Sequence, residues 1–195
     1  TQAQVQLRYL GVDFEEAQTF QRIANRVLYS DVALRARRDI LEKNQSGPSE
    51  LWPQGISGDL PIVLVRIDNE NDIEIVKQLL RAHEYWALQN LAVDLVIINE
   101  TASADAQDLQ LALEAMTRTP LPRPGGIHAL RAPLIPPASR QSLTTAARAV
   151  LAGRRGLLAE QLNRLESRSP DRELRAALPA RRETATSEQS LESME

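Results

Sequence analysis

Apolar residues along this chain follow two alternating rhythms. Short, mainly apolar runs rich in β-branched residues are separated by longer stretches in which apolar side chains recur every three or four positions. The first helical stretch opens at Asp13 with Glu16 three positions on. This is a capping box, in which the aspartate accepts first-turn N–H groups and the glutamate reaches back. Phe20, Ile23, Ala24, Val27 and Leu28 then mark one face of an amphipathic helix. A second helix is expected from Asp31, with Leu34, Ile40 and Leu41 inward, ending before Asn44, Gly47 and Pro48. Residues 46–61 carry three glycines and three prolines around Leu51 and Trp52 and read as a loop.

The run Pro61–Ile67 (PIVLVRI) is apolar without alternation, as expected of a strand covered on both faces. From Asp72 to Leu91 the period becomes helical, with Ile73, Val76, Leu80, His83 and Ala87 on one side and Leu79 and Trp86 widening the stripe. Residues 92–98 (AVDLVII) predict a second buried strand. Residues 105–117 predict a helix with Leu109, Ala112, Leu113 and Met116 inward. After a turn-rich connector over 120–126, Ile127–Leu130 predicts a third, shorter strand. A helix over 138–151, a break at Gly153–Gly156 and a last helix over 157–165 complete the pattern.

Strand, helix, strand, helix, strand points to an α/β fold built on a small parallel sheet of about three strands joined by right-handed crossovers, with two leading helices. From Glu166 onward the sequence is dense in Arg, Glu, Ser and Ala, with only sparse leucines. Residues 1–165 are therefore expected to form the α/β domain, and 166–195 a polar linker or disordered tail.

Composition narrows the chemistry. At 43% hydrophobic and 25% charged, the 195 residues have the balance of a globular domain with its own core. The net charge of −3 and the short basic runs Arg35, Arg37, Arg38 and Arg154, Arg155, read as solvated helix faces, argue against nucleic acid as a partner. The absence of cysteine excludes thiolate metal sites, disulfides and a cysteine nucleophile. No apolar run approaches the roughly 18 residues of a membrane span.

No catalytic or metal constellation emerges. His83 lies in a helical apolar stripe and reads as a core histidine, while His128 has no evident partner. Gly55-Ile-Ser-Gly58 precedes its strand and lacks a nearby lysine, which rules out both a phosphate loop and a nucleophile elbow around Ser57. No cofactor is expected. The remaining candidates follow from topology, because ligands of parallel α/β sheets bind beyond the carboxyl ends of the strands. Those ends carry Asp68, Asn69 and Glu70, then Asn99 and Glu100, then Arg131. Asp68, Asn99 and Glu100 are candidate sugar contacts, although Asn and Asp in such places often cap the next helix. Trp52 is a fourth candidate, able to stack on a sugar ring, against the plainer expectation that it plugs the core.

Four stretches together resemble one family: Leu10–Tyr29 (LGVDFEEAQTFQRIANRVLY), Leu51–Ile67 (LWPQGISGDLPIVLVRI), Val76–Trp86 (VKQLLRAHEYW) and Val93–Glu100 (VDLVIINE). They are similar to the cyclic β-1,2-glucan synthases of the NdvB type, in family order, over about residues 7–165. The resemblance implies a segment of a very large bacterial inner-membrane enzyme, lying on its cytoplasmic side. One portion of such an enzyme builds a β-1,2-glucan from UDP-glucose, and a C-terminal portion similar to cellobiose phosphorylase trims it. The segment is expected in that C-terminal portion, with β-sandwich modules and the phosphorylase barrel as partners. None of the family's catalytic residues maps onto positions here. Three readings follow: a non-catalytic docking segment, a carbohydrate-binding module for β-1,2-glucan, or a glycoside-processing enzyme using Asp68 and Glu100. The last requires their carboxyl groups about 5–10 Å apart.

Overall fold

A computed structural model describes residues 7–43, 47–102, 105–118 and 124–167. Helices α1 (Phe14–Leu28) and α2 (Arg38–Lys43) lead. They are followed by β1 (Ile62–Ile67), α3 (Ile73–Leu88), β2 (Asp94–Asn99), α4 (Ala106–Thr117), β3 (Ile127–Arg131), α5 (Pro137–Ala146), β4 (Ala149–Ala152) and α6 (Leu158–Ser167). The four strands form one parallel sheet in the order β3-β2-β1-β4.

The expected α/β architecture is present, with a fourth strand added. The stretch 138–151, expected as one helix, divides into α5 and β4. Nothing in Thr144–Arg148 signals a helix stop, and four residues are too few for periodicity to separate a buried strand from a helix.

The apolar residues of both faces in β1 and β2 reflect cover on both sides. Val63, Val65, Ile67, Leu95, Ile97, Ala149 and Leu151 face a core shared with α3, α4 and α6, beyond which α1 adds Phe20, Ile23 and Val27. Ile62, Leu64, Val96 and Ile98 face the opposite way, onto Leu143 and Ala147 from the α5 end and onto Leu51 and Ile56 from the preceding loop. Crossovers running β1 to β2 to β3 thus use one face, and the return to β4 uses the other, as right-handed connections require.

The stripe of α3 is centred on Val76, Leu79, His83 and Trp86, with Ile75 and Ala82 also buried, whereas Ile73, Leu80 and Ala87 are half-buried. Burying Trp86 needs a partner for its indole N–H, and the Phe20 carbonyl accepts it at 3.0 Å. Gln21 donates to the Tyr85 hydroxyl at 2.9 Å, and Arg81 pairs with Glu16 at 2.5 Å. Only half of the expected capping box therefore forms. Asp13 accepts the Glu16 N–H at 2.7 Å, while the Glu16 side chain turns to Arg81 instead of reaching back.

The helix expected from Asp31 begins only at Arg38. Asp31 folds its own turn by accepting the Ala33 N–H at 2.9 Å. The Leu34 carbonyl, which a helix would use internally, instead accepts the Val150 N–H of β4 at 2.7 Å. A tertiary bond along the sheet edge outweighs local propensity.

Helix α6 extends through Glu166 and Ser167, two residues into the expected tail; the rest of that tail lies outside the described residues. Glu166 is an anchor, bonded to Arg22 at 2.8 Å and to Arg26 at 3.1 Å, and Arg26 also pairs with Asp31. The bond from Arg22 is the largest influence on the Glu166 carboxyl. It outweighs partial burial, which acts the other way, and with Arg26 it holds the pKa below its ordinary 4.5. A lowered folded-state pKa gives stability that is complete above the unfolded value and fades as pH falls through the folded one. With the Glu166 side chain 44% exposed, screening keeps the effect small. Glu166→Gln should lower the melting temperature by roughly 1–3 °C near neutral pH and by nothing near pH ~3. An equal loss at both pH values would assign the anchoring of α6 to packing alone.

Candidate functional site

The order of the strands reverses between β1 and β4: from β1 the chain builds outward through β2 and β3, then returns to the other side of β1. Ligand sites of open parallel sheets form at such a point, outside the carboxyl ends of the strands. Here β1 and β4 both exit toward the face covered by α3 and α6. The opposite face of their last residues is left as a shallow hollow, with Arg66 and the end of β4 as its floor. Asp68, Glu100, Arg154 and Arg155 complete its lining.

Each polar residue is placed by the fold. Arg66 is the one non-apolar residue of β1 and points to the side where cover stops. Its Nε and Nη2 both donate to Glu100 Oε1, each at 2.7 Å, a fork held between the ends of two paired strands. Asp68 follows β1 directly and is exposed; its Oδ1 accepts from Asn69 Nδ2 at 2.7 Å. Asp72, buried under the β1 exit, accepts the Asp68 N–H at 3.0 Å and so shapes the turn below the hollow.

The turn Gly153–Arg155 carries the two arginines. It passes so close to Asp72 that a Cβ on Gly153 would lie 2.1 Å from the Asp72 carboxyl carbon. Gly156 closes the turn at φ +81°, a left-handed value that favours glycine. Buried Gln161 then staples the segment. Its Nε2 donates to the carbonyls of Ala152 (2.9 Å) and Gly156 (2.7 Å), and its Oε1 accepts the Ala152 N–H at 3.4 Å. Arg154 and Arg155 are exposed and form no ion pair among the described residues. They stand on a rigid turn at the sheet's carboxyl end, and not on a helix face as their sequence context had implied.

Of the four residues expected to contact sugar, the fold brings Asp68 and Glu100 into the hollow. Asn99 is buried. It donates to the Ala106 carbonyl at 3.2 Å and accepts the Thr101 N–H two residues on at 3.0 Å, which ties the β2 exit to the start of α4 without capping it, the N-cap residue there being Asp105. Trp52 is 64% exposed and so does not plug the core; buried Leu51 does that beside it. The indole N–H of Trp52 reaches the Ser57 carbonyl at 3.4 Å, and the ring does not line the hollow. Arg131 is tied to Gln107 at 2.9 Å and also stays outside.

The histidines lie elsewhere. His83 is buried, with Nε2 2.9 Å from the Val93 carbonyl, in agreement with a core histidine. His128, expected to lack a partner, sits near Asp94. Desolvation lowers its pKa and the Asp94 carboxylate opposes that shift. Among the described residues no group of three or more His, Asp or Glu is placed to hold a metal, and no helix is long and apolar enough to cross a membrane.

No family model matches the chain. It is 37% identical over 174 residues to the cyclic β-(1,2)-glucan synthase NdvB of Rhizobium meliloti (strain 1021), and the two are homologous across that stretch. The match takes in 86% of this chain and 6% of the relative, so the chain spans a small fraction of the length of the protein it matches.

The close approach at Gly153 can be tested directly. Gly153→Ala should cost about 1–3 kcal/mol in chemical denaturation, because the buried Asp72 side chain has little room to retreat. In an Asp72→Gly background the same substitution should cost clearly less. Equal costs in both backgrounds would show that the contact does not constrain the turn.

Proposed function

We propose that this chain is a non-catalytic docking segment of a cyclic β-1,2-glucan synthase, holding neighbouring modules of a much longer polypeptide in place. The observation that carries this reading is the proportion of the match: 86% of this chain corresponds to 6% of the relative's length. A small domain so embedded has neighbours on the same chain. Exposed apolar side chains give it surface to meet them: Leu28, Tyr29 and Val32 gather where α1 ends, a placement with no role in the domain's own core. On the resemblance of its sequence alone, its proposed place in the parent is the phosphorylase-like C-terminal portion, on the cytoplasmic side of the membrane, beside the β-sandwich modules and the phosphorylase barrel. The engagement of Glu100 by Arg66 also speaks against using Asp68 and Glu100 as a free acid–base pair.

Replacing the matching stretch of the Rhizobium meliloti protein with this chain should leave glucan synthesis largely intact. The same replacement carrying Tyr29→Asp and Val32→Asp should give a parent that loses assembly or becomes protease-sensitive, even though the isolated variant melts normally. Unchanged synthesis after the stretch is replaced by a flexible linker would overturn the docking role.

A second reading, contact with β-1,2-glucan, is favoured by the exposure of Trp52, a large ring presented to solvent beside the sheet. Calorimetric titration with linear and cyclic β-1,2-glucans should then show saturable binding, weakened several-fold by Trp52→Ala with folding unchanged. No heat at millimolar glucan from a folded sample would remove this reading and leave docking alone.

A further inference from the structure

We propose that His128 is a pH-sensitive latch on the edge strand β3, closing the amino-terminal end of the β2–β3 seam when neutral and releasing it when protonated. The seam depends on two neighbouring glycines. Gly125 takes a left-handed conformation at φ +88° and runs so close to β2 that a Cβ there would fall 2.0 Å from the Val93 carbonyl oxygen. Gly126 is bonded to β2 twice: its carbonyl accepts the Leu95 N–H at 2.9 Å, and its N–H donates to the Asp94 carboxylate at 2.7 Å. A Cβ on Gly126 would lie 2.5 Å from His128 Nε2 and 3.4 Å from Asp94 Oδ1. The imidazole and the buried carboxylate therefore converge over one glycine, on the sheet face that Val96 shares with them.

A proton added to His128 cannot be taken up in this arrangement without loss. Desolvation of the half-buried ring is the larger influence and disfavours its charged form, while the Asp94 carboxylate favours it. Of the charged residues on the elements around β3 (Asp59 ahead of β1, Asp94 of β2, Asp108 and Glu114 of α4, Arg140 of α5), Asp94 is the one that acts on the ring. Its oxygen already accepts the Gly126 N–H. An imidazolium N–H is a charged donor and competes for that oxygen more strongly than an amide does. Gly125, fixed against Val93, keeps the chain from following, so the Gly126 N–H loses its acceptor. Opening the seam frees the ring to solvent, where it takes its proton at the ordinary value of 6.5. The closed seam prefers the neutral ring. Its stability is therefore complete above 6.5 and declines as pH falls below that value, until the closed form takes the proton as well. Because β3 has a neighbouring strand on one side only, it can loosen while the rest of the sheet stays paired.

This device goes beyond the docking role and stands or falls independently of it, since it is read on this chain alone. The experiment is amide hydrogen exchange followed by NMR near pH ~7.5 and pH ~5.5, a window that brackets histidine and spares the carboxylates. Rates are corrected for the intrinsic pH dependence of exchange, and the His128 ring is titrated in the same sample. Protection at Gly126 and across β3 should fall roughly three- to tenfold at the lower pH while β1 keeps its protection. The ring should titrate below 6.5. His128→Gln, which has no proton to gain, should abolish the difference between the two pH values. Should that variant fail to fold, the ring titration of the unmodified chain still decides, and it separates His128 from His83. Equal protection of β3 at both pH values, a loss that persists in His128→Gln, or a ring that titrates at or above 6.5 would each overturn the proposal.

Discussion

The burial of β1 on both faces is the constraint on which the rest depends. A strand with no exposed side must be flanked by strands on both edges and by helices above and below, and parallel neighbours can be supplied only by crossovers. Those crossovers bring every strand's carboxyl end to the same side of the sheet. Arg66, Asp68, Glu100 and the Gly153–Arg155 turn come together because β1 cannot be satisfied otherwise. They are separated by up to about 90 positions in sequence, yet share one hollow.

The same constraint explains which parts of the architecture were legible in the amino-acid order. Runs at 61–67 and 92–98 that are apolar without alternation, apart from Arg66 and Asp94, point to two-sided burial, and both strands form there. The helical stripes of α1, α3 and α4 were readable because each meets a core along most of its length, with Leu28 at the end of α1 the exception, turned to solvent where that core stops. Hidden from view were the features fixed by partners distant in sequence. β4 is four residues long and is a strand because β1 offers it an edge. Asp31–Arg37 avoids a helix because Val150 claims the Leu34 carbonyl. Glu16 leaves its cap because Arg81 stands opposite.

The candidate site divides along the same line. Strand-end position alone located Asp68 and Glu100. It could not separate them from Asn99, whose amide is consumed by Ala106 and Thr101. Arg154 and Arg155 read from sequence as a solvated helix face because their true setting depends on β4. Once a strand is recognised before Gly153, the order strand, Gly-Arg-Arg-Gly, helix becomes a sheet-end turn, whereas without it the arginines are only a basic pair. Trp52 does not plug the core because its neighbour Leu51 fills that position, a choice between adjacent residues of the single 3₁₀ stretch Pro48–Gln54 that Gly- and Pro-rich sequence carries no period to decide.

The edge of β4 has one more consequence, for the order in which the chain assembles. Its outward amides are covered by two elements far apart in sequence: the Leu34 carbonyl takes the Val150 N–H, and the Gln161 side chain takes the Ala152 N–H and carbonyl. The sheet therefore stays unsealed until nearly all of the folded unit has left the ribosome, however early β1 and β2 are available to pair. During that interval the nascent chain carries an unprotected strand edge beside a strongly apolar sheet, the geometry that invites pairing with another molecule. Closing the edge with the leading segment on one side and the last helix on the other makes completion of the domain the event that ends this exposure.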